Sequence, residues 1–354
     1  MQMEAKSSHQ PKFPDRFPEL PLRLANLPEF PNFFMIRDDL LPLGFGTKWR
    51  KAFGIQENAK EKAVKEILLW GAVHGNYLAS FSTIFRSLGF FVTTIGYSKD
   101  PHLKTYNERL VQSHSHSFHC YANRKLALEA FVQMSSRFAG LVLPEFGVHP
   151  NQILGLKQLW SNLETKIQSL LKDSEYKTSP NEPQAILVLE IGSGVSFLSA
   201  YDYFRNSQVR VQGVMIGEKK DSWLSRTKKL QMKLGLQPVP IPEENVMEVE
   251  GKLPSSYLTI GETERNQKEN PYQEAQKGMG FGKGQNHYKD WIFEFYQKNE
   301  IILESMYSAK TLFHFLKIQN ERMVYDSGIP IFYLHQGGQI QHLDLVFPKT
   351  RVLP

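Results

Sequence analysis

The feature that most constrains the fold of this chain is an alternation. Short apolar runs that stop at a glycine or a polar turn are each followed by a stretch of helical length and periodicity. Ile67-Leu68-Leu69-Trp70-Gly71 is such a run, with the pattern of a strand buried on both faces. A tight turn, Gly71 to Asn76, follows it. Tyr77 to Leu88 then carries apolar residues at helical spacing and stops at Gly89, and Phe90 to Tyr97 is a second strand. Strand, loop, helix and strand in that order form a βαβ unit, which calls for a parallel sheet.

The theme recurs. A helix over 107–112 leads to the strand Ser117 to Tyr121, and a helix over 125–138 leads to the run Gly140 to Pro144. A further helix begins near Gly155. After a polar linker over 173–183 the pattern restarts with the strand Ala185 to Glu190 and a helix from Phe197 to Phe204. The expected fold class is therefore α/β: two domains, each an open, mostly parallel sheet flanked by helices, with a cleft between them. Residues 1–32 hold many of the prolines and read as an extended arm with short strands. Residues 262–290 are polar, glycine-rich and without period, the composition of a mobile loop or an insertion.

Composition narrows the class of function. At 354 residues with 41% hydrophobic residues the chain can bury a sizeable core. It carries 42 basic and 36 acidic residues, a net charge of +6. The basic cluster Lys219, Lys220, Arg226, Lys228, Lys229 and Lys233 reads as the solvated face of an amphipathic helix rather than a nucleic-acid groove, because no aromatic interleaving accompanies it. One cysteine, Cys120, rules out a disulfide framework and a multi-cysteine zinc site. The N-terminus lacks the apolar run of a signal peptide, and no stretch has the uncharged length of a membrane span. The expectation is a cytoplasmic protein without nucleic-acid or membrane partners.

Several stretches can carry chemistry. Leu43-Gly44-Phe45-Gly46-Thr47-Lys48-Trp49-Arg50-Lys51 is a glycine-punctuated turn after the strand Phe33 to Arg37. It presents a lysine, the residue that forms a Schiff base with an aldehyde once its amine is desolvated. On its own the turn reads better as a basic surface bend, and the rest of the chain reverses that preference. Glu190-Ile191-Gly192-Ser193-Gly194-Val195-Ser196 follows a strand and opens a helix, so glycine-freed amides, the helix N-terminus and two serine hydroxyls converge as a phosphate cradle. It has neither the lysine of a P-loop nor the spacing of a dinucleotide turn.

Gly75-Asn76 opens another helix, where Asn76 either caps that helix or offers its amide to a ligand. Tyr307-Ser308-Ala309-Lys310 starts an apolar helix, with Tyr307 a candidate proton carrier and Ser308 a candidate partner for a ring nitrogen. His335-Gln336-Gly337-Gly338 ends an apolar strand, either closing over a flat ring or simply leaving the sheet. His114, His116 and His119 invite a metal reading. His114 and His116 would share a face of an extended segment while His119 points away, so a polar strand fits better than a metal site.

Taken in order, these stretches resemble the 1-aminocyclopropane-1-carboxylate deaminase and D-cysteine desulfhydrase family, pyridoxal-phosphate enzymes of the tryptophan-synthase-β fold. The resemblance runs from about Leu20 to Phe347. The family's K-R-E-D…F-G-G-N-K-x-R-K block is similar to Ile36-Arg37-Asp38-Asp39…Gly44 to Lys51, which places the Schiff-base lysine at Lys48 and not Lys51. G-G-x-x-S-N resembles Gly71 to Asn76, and the T-G-S phosphate loop resembles Gly192 to Ser196. V-Y-[TE]-[GA]-K resembles Met306 to Lys310, and H-T-G-G resembles His335 to Gly338.

The resemblance implies pyridoxal 5′-phosphate as cofactor and a homodimer. It implies a large cofactor-binding domain of residues 1–55 plus 160–354, with a small domain, 56–159, inserted in it. Lys48 would hold the cofactor and act as base, and Tyr307 would assist proton movement. Asn76, Gly192, Ser193, Gly194, Val195, Ser196, Ser308 and Gly337 would bind the cofactor. His74, Gly75 and Phe281 would face a small amino-acid substrate. The implied reaction is deamination, with ring opening or β-elimination, to ammonia and a 2-oxo acid. Three positions depart from the family pattern. Gly75 stands for a serine, Phe281 for a tyrosine and Thr47 for an asparagine. A second reading therefore stands beside the first, a cofactor-binding member with lost or altered catalysis.

Overall fold

The computed structural model describes residues 22–27, 30–172, 182–216, 218–249, 288–321 and 329–343. The expected loop over 262–290 falls almost entirely outside the described residues, as do Phe281, most of the 173–183 linker and the arm up to residue 21. The described elements begin with β1 (Leu24–Leu27), β2 (Phe30–Ile36), α1 (Thr47–Glu61), β3 (Glu66–Ala72), α2 (Asn76–Ser87) and β4 (Phe91–Tyr97). Next come α3 (Tyr106–His114), β5 (Ser117–Tyr121), α4 (Arg124–Ser135), β6 (Leu141–Val142) and α5 (Gln152–Lys172). The chain continues through β7 (Ala185–Ile191), α6 (Val195–Phe204), β8 (Val209–Met215), α7 (Lys220–Lys233) and β9 (Val246–Glu248). It ends with α8 (Lys289–Asn299), α9 (Ser308–Glu321) and β10 (Ile331–Leu334).

The chain divides into two compact units, one containing residues 52–147 and the other 22–51 with 148–343. Residues 148–159, placed with the small domain by the sequence expectation, fall in the larger unit, and 52–55 fall in the smaller one. The reason is packing: Ile153, Leu156 and Leu159 of α5 are buried in one cluster with Leu187 and Leu189 of β7.

The smaller unit holds a four-stranded sheet in the order β5-β4-β3-β6, every pairing parallel. The buried face of α2 is formed by Leu78, Phe81, Ile84 and Phe85, while Ala127 and Phe131 of α4 pack with Leu68, Trp70 and Ile95 of the sheet. His114 is the last residue of α3, not part of an extended segment, and Leu110 O lies 2.9 Å from its Nδ1. His116 Nδ1 accepts from Val92 N at 3.0 Å, and His119 Nε2 pairs with Ser117 Oγ at 2.9 Å. Each ring is tied to its neighbours, and no group of three or more possible ligands gathers among the described residues.

The larger unit holds a six-stranded sheet in the order β1-β2-β10-β7-β8-β9. Only β1 against β2 is antiparallel, and the other four pairings are parallel. All seven residues of β7 are buried, as expected of a central parallel strand covered on both faces. Leu187, Leu189 and Ile191 pack on one side with α5 and α6. Ile186 and Val188 pack on the other with Leu312 and Phe315 of α9 and with Tyr333 of β10. Alternation puts Glu190 on that second face, a carboxyl at the end of an otherwise apolar run. On α7, Trp223, Thr227 and Gln231 are buried at helical spacing, and Lys228, Lys229 and Lys233 are exposed. No described helix is long and apolar enough to cross a membrane.

Candidate functional site

The turn that carries Lys48 is built by close backbone approach. Leu43, Gly44 and Gly46 all have positive φ, 58°, 64° and 57°. Gly46 admits no side chain, since a Cβ there would sit 1.9 Å from Gln336 O. Thr47 N donates to Gln336 O at 3.3 Å, and Gly338 N donates to Gly44 O at 2.8 Å, so the start of α1 is clamped against the turn after β10. Below it, Arg50 grips Asp38 through two hydrogen bonds of 2.7 Å, both side chains 2% exposed. Arg37 grips Asp39 in the same two-toothed way at 2.8 and 2.7 Å.

The β7–α6 turn is the second component. Gly194 has φ +84° and lies against the Trp223 ring, whose Cζ2 would be 2.9 Å from a Cβ at that position. The first helical bond of α6 is Leu198 N to Gly194 O at 2.9 Å, so the amides of Val195, Ser196 and Phe197 precede the ladder and face outward from the helix end. Ser196 Oγ donates to Gln336 Oε1 at 2.6 Å, and Thr47 Oγ1 donates to the same oxygen at 3.4 Å. Gln336 Nε2 donates to the backbone oxygen of Glu190 at 3.1 Å. One glutamine thus ties the residue before Lys48 to both ends of the amide turn. Tyr307 is the third component: its Cε1 lies 3.3 Å from where a Cβ at Gly192 would be.

The charges inside this arrangement are unusual. Lys48 and Lys51 lie one helical turn apart, and neither amine has a hydrogen bond or ion pair among the described residues. Burial lowers the Lys48 amine below its ordinary value, against the pull of Glu190 and Glu304. Burial and the neighbouring Lys48 lower Lys51 to about 7, opposed by Glu190 and Asp38. Glu190, 6% exposed, is raised to about 8 by burial and by Glu304. Its Oε1 accepts from Tyr333 Oη at 2.5 Å, which opposes that rise.

Glu304 is fully buried and caps α9. Its carboxyl accepts from the backbone amides of Met306 (2.8 Å), Tyr307 (2.5 Å) and Ser308 (2.7 Å). Burial raises it to about 7, and those three amides pull the other way. Burial, then Glu304 and Glu190, push the Tyr307 phenol well above its ordinary value, so it stays protonated at neutral pH.

The larger unit therefore gathers Lys48, Gly192 to Ser196, Tyr307, Ser308 and Gly337. Ser308 is buried, and its hydroxyl accepts from Glu304 N at 2.7 Å and donates to Glu304 O at 3.1 Å. Gly337 is used for close approach, since a Cβ there would lie 2.5 Å from Gly44 O. His335 is held by Ile302 O at 2.8 Å on Nε2.

His74, Gly75 and Asn76 belong to the smaller unit. The cap of α2 is Gly75, without a side-chain bond, so Asn76 is the first helical residue and does not cap. Asn76 Oδ1 accepts from Asn107 Nδ2 at 3.1 Å, and the His74 ring nitrogens lie 2.9 Å from Thr105 Oγ1 and Ser98 Oγ. Glu304 and Tyr333 had no role in the sequence reading, and Glu190, Lys51 and Gln336 entered it only as members of their stretches, with no role in the site assigned to them. The one available signal was a glutamate at the end of a run otherwise patterned for complete burial.

No family model and no curated protein matches the chain. Solved structures do match. An ACC deaminase homologue is 19% identical, with 90% of each chain covered and a TM-score of 0.65. The processed form of threonine deaminase isoform 2 from Solanum lycopersicum is 13% identical over 93% of this chain and 81% of that one, with a TM-score of 0.56. A pyridoxal 5′-phosphate-dependent aspartate racemase is 12% identical over 92% of each chain, also at 0.56. The likeness is one of fold, and it is the tryptophan-synthase-β-like arrangement expected from the sequence.

Proposed function

We propose that the chain is a pyridoxal-phosphate-dependent enzyme of lyase or deaminase type that acts on a small amino acid. The observation that carries this reading is Lys48. Its depressed amine lies in the first turn of α1, tied through Thr47 and Gln336 to the amide turn at Gly192 to Ser196. The residues fit the group on chemical grounds. The outward amides of Val195 to Phe197 suit a phosphate, the glycines leave room for it, and a lysine whose amine is depressed by burial suits an aldehyde. Glu190 does not oppose the fit, because burial and Glu304 push its carboxyl toward the uncharged acid.

When bound, the cofactor supplies an electron sink that stabilises negative charge on the substrate carbon next to nitrogen. Lys48 Nζ is the attachment point and, once free, the base that takes the proton from that carbon. The Tyr307 phenol, held neutral beside Gly192, offers its O–H as a hydrogen-bond donor and assists proton movement at that carbon. Fold likeness to an ACC deaminase homologue and a threonine deaminase supports deamination as the reaction class. The finer proposal is a substrate of the 1-aminocyclopropane-1-carboxylate or D-cysteine type, with ammonia and a 2-oxo acid as products.

Purified protein mixed with pyridoxal 5′-phosphate is expected to show a visible absorption band that borohydride fixes on Lys48, and Lys48→Ala is expected to lack it. Persistence of the band in that variant, or its absence from the wild type, defeats the proposal. Gly75, which brings no hydroxyl to the start of α2, favours a second reading in which cofactor is bound but turnover is low. Ammonia and 2-oxo acid release from D-cysteine, 1-aminocyclopropane-1-carboxylate and D-serine separates the two, since robust turnover of any one excludes the second.

A further inference from the structure

The sheet order sets one segment between the two that the proposed chemistry uses. β10 lies between β2 and β7 and runs parallel to both. The carboxyl ends of the three strands therefore share one edge of the sheet. There β2 leads to the Lys48 turn, β7 leads to the amide turn, and β10 leads to Gln336. A residue just past β10 is placed to reach both neighbours, and Gln336 bonds to each. Its Oε1 accepts from Ser196 Oγ at 2.6 Å on one side and from Thr47 Oγ1 at 3.4 Å on the other. Its Nε2 donates to Glu190 O at 3.1 Å, which fixes the end of the amide that faces the two hydroxyls. Its backbone oxygen accepts from Thr47 N at 3.3 Å.

A glutamine suits this place. One carbonyl oxygen has two lone pairs, so it takes a hydroxyl from each side at once. The side chain is buried, and both ends of its amide are bonded to protein groups. Gln336 therefore acts on a ligand only through the segments it holds.

We propose that Gln336 is a positioning residue that fixes the spacing between the first turn of α1, which carries Lys48, and the amide turn, and so favours an aldehyde that carries its own phosphate. The inference rests on the reading of Lys48 as the carbonyl-reactive residue and of Gly192 to Ser196 as the phosphate cradle. A rigid molecule gains from a second contact only where the two contact points are held at the separation it spans. Without the brace each turn still takes its own fragment, and the gain from joining the fragments falls.

The test uses the full-length protein and two aldehydes, pyridoxal 5′-phosphate and 5′-deoxypyridoxal, which lacks the phosphate. Borohydride-trapped labelling at Lys48, located by peptide mass, is measured against the concentration of each. The ratio of the two half-saturating concentrations is the readout. Wild type should favour the phosphate-bearing aldehyde by roughly 100-fold or more, the scale of joining two contacts in one molecule. Gln336→Leu should lower that preference about tenfold, while labelling by 5′-deoxypyridoxal changes by less than about twofold. Thr47→Val removes only the longer tie and should lower the preference about two- to threefold. It also serves if Gln336→Leu does not fold.

A merely structural Gln336 would weaken both aldehydes alike or neither, leaving the ratio unmoved in every folded variant, and that result overturns the proposal. A wild type labelled at Lys48 by neither aldehyde overturns the functional reading as well, and one labelled equally by both overturns the cradle as well. A preference present in wild type and kept in both variants overturns the role of Gln336 alone.

Discussion

The first turn of α1 carries two kinds of cation. Arg50 is buried with Asp38 in a two-toothed ion pair, each charge satisfied by the other. Lys48 and Lys51, on the same turn, have no such partner among the described residues, and both amines are depressed. The carboxyls they face, Glu190 and Glu304, are raised instead of ionised outright. A desolvated charge that is paired holds the structure together. One that is left unpaired sits close to neutrality, and a group near neutrality can bind an aldehyde or move a proton.

Breaking the paired side should produce the largest effect. Asp38→Ala strands the Arg50 guanidinium in a buried place and is expected to cost ~3–5 kcal/mol in urea unfolding. Lys51→Met removes an amine that has no partner and should change stability by less than ~1 kcal/mol, or raise it. If the two variants lose equal stability, the distinction between structural and chemical cations fails.

The pH dependence of stability sharpens the same contrast with a smaller signal. Glu190 is raised from 4.5 to about 8, so its contribution is fully present below 4.5 and is lost as pH climbs to 8. Glu304, raised to about 7, acts with the same sign. Lys51 is lowered from 10.5 to about 7, so its contribution is present above 10.5 and is lost as pH falls to 7. The two opposing trends meet between pH 7 and 8, where a minimum in stability is expected. Denaturation midpoints across pH 4–11 should show that minimum in wild type and a flattened curve in the Glu190→Gln, Lys51→Met double variant.

The smallest structural effect belongs to Gly75 in the other unit. Its φ of −85° suits any residue, and the nearest atoms to a Cβ there are Ala72 O at 3.2 Å and Ala72 Cβ at 3.8 Å. The glycine is therefore not required by the fold, unlike Gly46 or Gly194. Gly75→Ser should alter stability by no more than a few tenths of a kcal/mol, since serine is also a good cap. If the missing hydroxyl is what limits turnover, the same change should raise 2-oxo acid release. An unchanged rate, measured in a variant of unchanged stability, shows that the limit lies elsewhere.

Most of the architecture could be read from the chain because periodicity and glycine stops are local. The strands at Ile67, Phe90, Ser117 and Ala185, the helices between them and the parallel pairing all follow from spacing that any window of the sequence displays. The site was legible in part for a different reason. Lys48, the Gly192 to Ser196 turn and Tyr307 announce themselves by residue type beside a turn. The extent of the smaller unit was less legible, because α5 leaves it only by virtue of the core that Ile153 and Leu156 join.

Sequence pattern alone was enough to establish an α/β protein and to point to a lysine in a glycine turn and a helix-end turn of free amides as candidates for chemistry. It could not say that Glu190 and Tyr333 meet diagonally across two strands that lie far apart in the chain. Nor could it say that Gln336 binds Ser196, that Glu304 folds back to cap α9, or that Arg50 is spoken for while Lys48 is not. Those facts depend on register and on burial, which exist only once the strands are side by side. The Lys48 amine is shifted by that burial and by neighbours brought from two other segments, Glu190 and Glu304, so its chemistry belongs to the folded chain.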